Sequence, residues 1–246
     1  MKIIFILIVM TTFNCFGADC IAHRGYLRES VENSLDSVIN AINAGADGVE
    51  FDIHHTKDGT PFLLHDSTLE RVVDDSIECP SKTKVKDLLW SEISQHCRLK
   101  DGQRLVSLEE LLIQTANYKG LYFVELKDKP SHLFKDVVES SGVDFSRLRF
   151  ISFRLKFLQV VRDFIPESQS LRLSKFIPFF AWSRGMNVHY PLKPFTWLAR
   201  MLGHENGVWT VNDYERLLKY HKRKVDFITT DEIELCLKAQ SQDALN

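Results

Sequence analysis

Eight short apolar runs recur along the chain, and most are separated by spacers long enough for a helix. They are CIAH (20–23), GVEFDI (48–53), LYFVEL (121–126), RFISF (149–153), SLRLS (170–174), MNVHY (186–190), GVWTV (207–211) and DFITT (226–230). Strands joined through helices have to run parallel, because each crossover returns the chain to the same end of the sheet. Eight such units predict an α/β fold of the (β/α)8 TIM barrel type, and 246 residues are sufficient for one. The segment 33–44 (NSLDSVINAINA) carries Leu35, Val38, Ile39 and Ile42 at helical spacing, with Asn33 as candidate N-cap and Gly45 as stop. Ser107 with Glu110 reads as a capping box, and Asp213 as the cap of the helix YERLLKYHK.

One further strand-like run, PFLLH (61–65), breaks the alternation. Too few residues separate it from Ile53 for a parallel crossover, and the intervening KDGT contains an Asp-Gly turn signal. It is expected to form an antiparallel hairpin on the second barrel strand, returning His65 to the level of Asp52. Residues 66–106 lack a strong period and are expected to form a small insertion over the barrel mouth. Without repeats, low-complexity tracts or linkers, residues 19–246 read as a single domain.

Met1-Lys2 followed by the apolar run Ile3–Met10 and small residues at Gly17 and Ala18 has the shape of a secretory signal peptide over residues 1–18. The apolar run is too short to span a bilayer. The expected destination is secreted or periplasmic, an oxidising compartment. Of five cysteines, Cys20, Cys79, Cys97 and Cys236 lie beyond the signal. Cys79 with Cys97 can close a modest loop and Cys20 with Cys236 can join the chain ends; buried free thiols are the alternative.

The net charge of −2 and scattered basic residues give no footprint for nucleic acid. Residues 153–200 are rich in Phe and Trp. A barrel wall built of aromatic side chains accounts for them, with contact to a lipid surface as the second reading. The sequence predicts no oligomeric state.

Chemistry-bearing residues collect at the ends of the predicted strands. Glu50 and Asp52 are two apart on one strand and so face the same side, while Phe51 faces the helical layer. Glu125 ends the third barrel strand. Three inward carboxylates at the C-terminal mouth would repel one another unless a cation intervened, and they form an oxygen site suited to Ca²⁺ or Mg²⁺. His23 ends the first strand, immediately before Arg24 and the turn-permitting Gly25, and His65 ends the hairpin beside Asp66. Two histidines next to an acidic cluster suit general acid/base chemistry. Arg24 and Lys127 are candidates to bind phosphate oxygens, Lys127 also to neutralise Glu125. Trp209 can wall a small pocket or pack in the core. Glu32 can orient an active-site side chain or cap the first helix. His54 and His55 are read as surface residues further along the hairpin, and Thr230-Asp231 as the cap of the last helix.

The ordered set HRG (23–25), ENS (32–34), GADGVEFD (45–52), TKDG (56–59), HDSTLER (65–71), ELK (125–127), SF (152–153), WTVND (209–213) and TTD (229–231) resembles the glycerophosphodiester phosphodiesterase family. The match is collinear and spans nearly the whole chain beyond the signal. Ser34 stands where the family has Thr, and Val31 where it has Pro; the segment between Ser152 and Trp209 diverges. The resemblance implies a barrel with a small insertion after the His-Asp motif, cleaving glycerophosphodiesters to glycerol phosphate and an alcohol. It further implies His23 and His65 as the acid/base pair, Glu50, Asp52 and Glu125 as metal ligands, and Arg24 and Lys127 on the phosphate. The attacking group, water or a neighbouring glycerol hydroxyl, stays open, as does which histidine donates.

Three other readings compete. A phospholipase D-like enzyme acting on lysophospholipids or sphingolipids would use the aromatic segment. A catalytically silent phosphodiester-binding protein would keep the pocket but not the full set of acids and bases. A glycosidase would need paired carboxylates but not the histidines and phosphate-binding cations.

Overall fold

The computed structural model describes residues 17–74, 78–175, 185–189, 201, 203–223 and 225–244. The expected signal peptide, and much of the aromatic segment, lie outside the described residues.

Eight parallel strands close into a barrel: β1 (Asp19–His23), β2 (Gly48–His55), β4 (Leu121–Leu126), β5 (Leu148–Ser152), β6 (Gln169–Ser174), β7 (Gly185–His189), β8 (Glu205–Trp209) and β9 (Phe227–Thr230). Pairing of β1 with both β2 and β9 completes the circle. This is the (β/α)8 TIM barrel that the strand count predicts, and each strand begins or ends within a few residues of its expected position. The described helices are α1 (Leu35–Asn43), α2 (Trp90–His96), α3 (Leu108–Gln114), α4 (His132–Ser140), α5 (Leu155–Phe164), α6 (Tyr214–Lys222) and α7 (Ile233–Ala244). The short β3 (Pro61–Leu63) pairs antiparallel with Ile53, His54 and His55, and the Leu64 amide donates to the Asp52 carbonyl at 3.0 Å. The hairpin therefore brings the chain back to the level of Asp52, as its turn chemistry requires.

Alternation along each strand sorts side chains into two layers. Phe51, Tyr122, Val124 and Phe150 point outward and pack with Phe134, Leu158 and Val161 of the helices. Ile21, Phe123, Ile151, Leu171, Leu173 and Phe227 fill the barrel interior, where the Phe123 and Phe227 rings meet edge to face at 5.0 Å. Gly48 faces the same interior. A Cβ there would fall 2.6 Å from Ile21 Cδ1, so the packing needs glycine at that position. The barrel floor is solid, and chemistry can occur only at its mouth.

α1 begins one residue later than predicted. Ser34, not Asn33, is its cap: the Ser34 hydroxyl accepts from the Ser37 amide at 3.0 Å and Ser37 completes the box. At α3 only half of the expected box forms. Ser107 accepts from the Glu110 amide, while the Glu110 side chain lies 3.3 Å from Arg104 Nη2.

Between β3 and α3 a second apolar cluster, including Phe62, Leu69, Val73, Val85, Ile93 and Leu99, packs around the Cys79–Cys97 disulfide. A second disulfide, Cys20–Cys236, ties β1 to α7. Both bridges match the pairings that spacing allowed. The closed loops span 18 and 216 residues. Loops of such lengths correspond to about 3 and 5 kcal/mol of lost unfolded-state entropy, respectively.

Candidate active site

Strand register assembles the acidic cluster. His23 is level with Glu50 across β1 and β2, and Asp52 is level with Glu125 across β2 and β4. One carboxylate oxygen from each of Glu50, Asp52 and Glu125 lies within 4.8 Å of the others. All three side chains are buried. Two cations thread between them. Lys127 Nζ lies 2.9 Å from Glu125 Oε1 and 3.3 Å from Asp52 Oδ1; Arg24 Nε lies 3.3 Å from Asp52 Oδ2. The backbone amide of Arg24 donates to Glu50 Oε2 at 3.0 Å.

Three acids against two cations leave one negative charge in excess, and its cost is visible. Burial, then repulsion from Asp52, pushes the Glu50 carboxyl up to about 8, and burial also raises Glu125. Asp52 is held below the usual range because Lys127 and Arg24 outweigh its burial. Glu50 Oε1 is buried without a hydrogen-bond partner, and Asp52 Oδ1 has only the Lys127 ammonium, at 3.3 Å. Buried carboxylate oxygens this close together, one of them unpaired, fit a hard divalent cation.

Both candidate histidines are held by carboxylates. His23 Nδ1 lies 2.6 Å from Asp231 Oδ1, and His65 Nδ1 lies 2.8 Å from Asp66 Oδ1. Both acids titrate below the ordinary carboxylate range and so only accept. Each ring therefore carries its proton on Nδ1 and leaves Nε2 free to exchange one. Asp231 is itself fixed by Asn212, whose Nδ2 donates to Asp231 Oδ2 at 2.6 Å and whose Oδ1 accepts from the Asp231 amide at 2.9 Å. Asp66 is fixed by Arg71 Nε at 2.5 Å. The two rings are driven in opposite directions. For His23, burial disfavours the charge, but the Asp231 hydrogen bond and the Glu50 charge prevail and raise it. For His65, burial and the Lys127 charge prevail over Asp52 and Asp66 and lower it.

The β1–α1 loop is shaped to serve this cluster. Arg24 and Asn33 both adopt left-handed backbone conformations, at φ 56° and 57°. Such strain costs roughly 1–3 kcal/mol per residue outside glycine and persists where surroundings enforce it. Asn33 Nδ2 donates to Asp52 Oδ2 at 2.8 Å, and its Oδ1 accepts from the Asp52 amide at 3.0 Å. Asn33 thus orients a cluster carboxylate rather than capping α1. Gly25, at φ 89°, passes so close to Ser37 that a Cβ would fall 2.5 Å from it. Its tight approach is to α1. Glu32 Oε1 accepts from Arg24 Nη1 at 3.0 Å, and Arg71 braces Glu32 from the other side.

A cavity of about 340 Å³ opens onto these groups, lined on one side by His23, Arg24, Glu50, His65, Glu125 and Lys127. Trp209 lines the opposite wall, with its indole Nε1 donating to the Asn187 carbonyl at 3.1 Å and its ring against Phe153 and His189. His54 and His55 are not surface residues. Both are buried, and both rings engage Asp128, His54 at 2.8 Å. The strand alternation that takes Glu50 and Asp52 inward continues to His54, while His55 packs against Phe134 of α4.

His23, Arg24, Glu50, His65, Glu125, Lys127 and Trp209 line this cavity, while Asp52 and Glu32 reach it through their ion pairs with Arg24 and, for Asp52, Lys127. Sequence reasoning missed the partners Asp231, Asn212 and Asn33. Asp231 looks like a helix cap in sequence, and Asn212 directly precedes one, Asp213; that TTD and WTVND lie at the ends of adjacent strands near His23 was the available signal.

Fold and site together define a (β/α)8-barrel protein with an acid–histidine cluster at the C-terminal ends of its strands. The chain belongs to the glycerophosphoryl diester phosphodiesterase family, whose model matches residues 23–235. It is 27% identical over 236 residues to a glycerophosphodiester phosphodiesterase of Caldanaerobacter subterraneus subsp. tengcongensis, covering 87% of this chain and 94% of that protein. It is 30% identical over 157 residues to glycerophosphodiester phosphodiesterase 1 of Bos taurus, covering 60% of this chain and 43% of the bovine protein. The match thus spans less than half the length of that mammalian relative. A crystal structure of a glycerophosphodiester phosphodiesterase from Parabacteroides distasonis superposes with a TM-score of 0.81 at 26% identity, over 93% of this chain and 99% of that chain. The fold is shared, at TM-score 0.74 and 22% identity over 92% and 97% of the two chains, by an Oleispira antarctica phosphodiesterase solved with the product sn-glycerol-3-phosphate.

Proposed function

We propose that the protein is a metal-dependent phosphodiester hydrolase that cleaves glycerophosphodiesters to sn-glycerol 3-phosphate and an alcohol. The observation that carries the reading is the meeting, in one cavity, of three buried carboxylates, two carboxylate-held histidines and two cations. Family membership supports it, as does the product named for the Oleispira relative.

In this reading Glu50, Asp52 and Glu125 hold Ca²⁺ or Mg²⁺. When bound, the cation supplies Lewis-acid stabilisation of charge on the phosphate oxygens. With a divalent cation held there, Glu50, Asp52, Glu125, Arg24 and Lys127 would together carry a single net positive charge, which matches a phosphodiester monoanion. Arg24 and Lys127, positioned by Glu32, Asp52 and Glu125, face the same oxygens and favour the transition state as their charge grows. His65, with its Nε2 unprotonated, takes the proton from the attacking oxygen. His23, whose Nδ1 is anchored on Asp231, delivers a proton from Nε2 to the departing alkoxide. The bond from phosphorus to the alcohol oxygen breaks as the new oxygen–phosphorus bond forms. Trp209 borders the space for the organic part of the substrate. The N-terminal signal directs the enzyme to a secretory or periplasmic compartment, where both disulfides are stable.

The test is phosphorus NMR of glycerophosphodiesters incubated with the protein and Mg²⁺ or Ca²⁺. Appearance of the glycerol phosphate resonance is expected. Exclusive release of a phosphorylated alcohol, or no turnover, contradicts the reading.

A further inference from the structure

The cavity has a second half beyond the acid–histidine cluster. It is formed by Phe153, Lys175, Asn187, Trp209 and Thr229, from the ends of β5 to β9. Two of these residues carry buried side-chain oxygens without a hydrogen-bond partner. Asn187 and Thr229 are 1% and 3% exposed, and Asn187 Oδ1 and Thr229 Oγ1 have no hydrogen-bond partner. Gly207, on the strand beside Asn187, leaves room for the amide: a Cβ there would fall 3.0 Å from Asn187 Oδ1. Lys175 differs from the other two cations of the cavity. Arg24 and Lys127 are each flanked by carboxylates, whereas among the described residues no carboxylate lies within ion-pair distance of Lys175. Its ammonium stands 5.7 Å from the centroid of the Phe153 ring.

Buried, unpaired acceptors are costly unless a ligand supplies their partner. A hydroxyl serves either orientation of the Asn187 amide, because it both donates and accepts. A trimethylammonium group can do neither. Such a cation is recognised instead by open aromatic faces. Here Lys175 already holds a positive charge over Phe153, and the Trp209 ring is packed edgewise with Phe153 and His189. A second cation entering this half would meet the first in a partly desolvated space.

We propose that this half of the cavity is the subsite for the alcohol, and that it selects a hydroxylated, uncharged or anionic alcohol over one bearing a quaternary ammonium. Asn187 and Thr229 pair with its hydroxyls, and Lys175 repels a cationic head. The inference rests on the hydrolase reading and deepens it.

The experiment compares kcat/KM for glycerophosphoglycerol and glycerophosphocholine, both measured on the same metal-loaded preparation. Their ratio is independent of the fraction of protein that is folded. The wild-type protein is expected to favour glycerophosphoglycerol at least about tenfold. Lys175→Glu is expected to shift the ratio toward glycerophosphocholine by about tenfold or more. Asn187→Leu is expected to lower kcat/KM for glycerophosphoglycerol more than for glycerophosphocholine. A wild-type ratio near one, or a ratio that Lys175→Glu leaves unchanged, overturns the proposal while hydrolysis itself stands. Equal losses on both substrates in Asn187→Leu overturn the role given to Asn187. Failure to hydrolyse either substrate removes the activity reading, and this inference with it.

Discussion

The imidazole of His23, at the end of the first barrel strand, shares a 2.6 Å hydrogen bond with Asp231, at the end of the last. The contact spans 208 positions in sequence, and barrel closure alone makes it local. It fixes the tautomer of His23 and raises its proton affinity. Asp231→Asn removes both effects. It is expected to lower kcat about 10²- to 10⁴-fold with a smaller change in KM, as for other histidines deprived of an orienting carboxylate. In the proposed reaction His23 acts in its protonated form, and Asp231 raises its pKa, so the alkaline limb of the kcat–pH profile should move to lower pH in the variant. Asn212→Ala, which loosens Asp231, should move the profile the same way by less.

His23 and His65 are driven apart in proton affinity, and a change of leaving group separates their roles. An alcohol of low pKa, such as p-nitrophenol, departs without a proton. His23→Ala should therefore lose orders of magnitude on a glycerophosphodiester of an aliphatic alcohol but far less on the p-nitrophenyl ester. His65→Ala should lose comparably on both. The same pair of rates with the two variants exchanged would reverse the assignment.

Asp128 ties the ends of β2 and β4 together through His54 and His55. Although burial works against its charge, the two histidine hydrogen bonds hold its pKa down to about 2. A depressed carboxylate contributes stability that is fully present above the unfolded value near 4 and is lost as pH falls through the folded value. Urea midpoints of the wild-type protein should thus fall between about pH 4 and pH 2, and Asp128→Asn should flatten that dependence. Because Lys127 is its neighbour, the variant should also raise KM at neutral pH.

The disulfides differ in what they hold. Cys20–Cys236 fastens the last helix to the first strand, and Cys79–Cys97 stabilises the cluster that carries Asp66 and Arg71. Paired Cys→Ser substitution of the first should cost up to about 5 kcal/mol of unfolding free energy with kcat retained at low temperature. Substitution of the second should cost less stability but more activity, by loosening the support of His65.

The barrel and its acidic mouth were legible because period-2 alternation fixes which side chains face inward, and strand ends in a parallel barrel converge whatever their separation in sequence. Glu50, Asp52 and Glu125 follow from that rule, and the resemblance of the ordered motifs placed His23 and His65 beside them. The supporting groups were less legible. Asp231 and Asn33 have the sequence context of helix caps and Asn212 stands next to one, Asp213, and nothing local distinguishes a carboxylate that caps a helix from one that binds a ring across the barrel. His54 and His55 were misread because a hairpin was expected to carry them into solvent, whereas α4 and Asp128 cover both. The selectivity of the alcohol-facing wall depends on which polar atoms remain unpaired, a property of packing rather than of order along the chain.

The most direct measurement is the rate of sn-glycerol 3-phosphate release from glycerophosphoglycerol by the protein stripped with chelator, then resupplied with Ca²⁺ or Mg²⁺, with Glu50→Gln measured in parallel. The account predicts at least about a hundredfold loss on stripping, recovery on resupply, and little recovery in the variant. A rate that chelation leaves intact, or a Glu50→Gln protein that recovers fully, would contradict it.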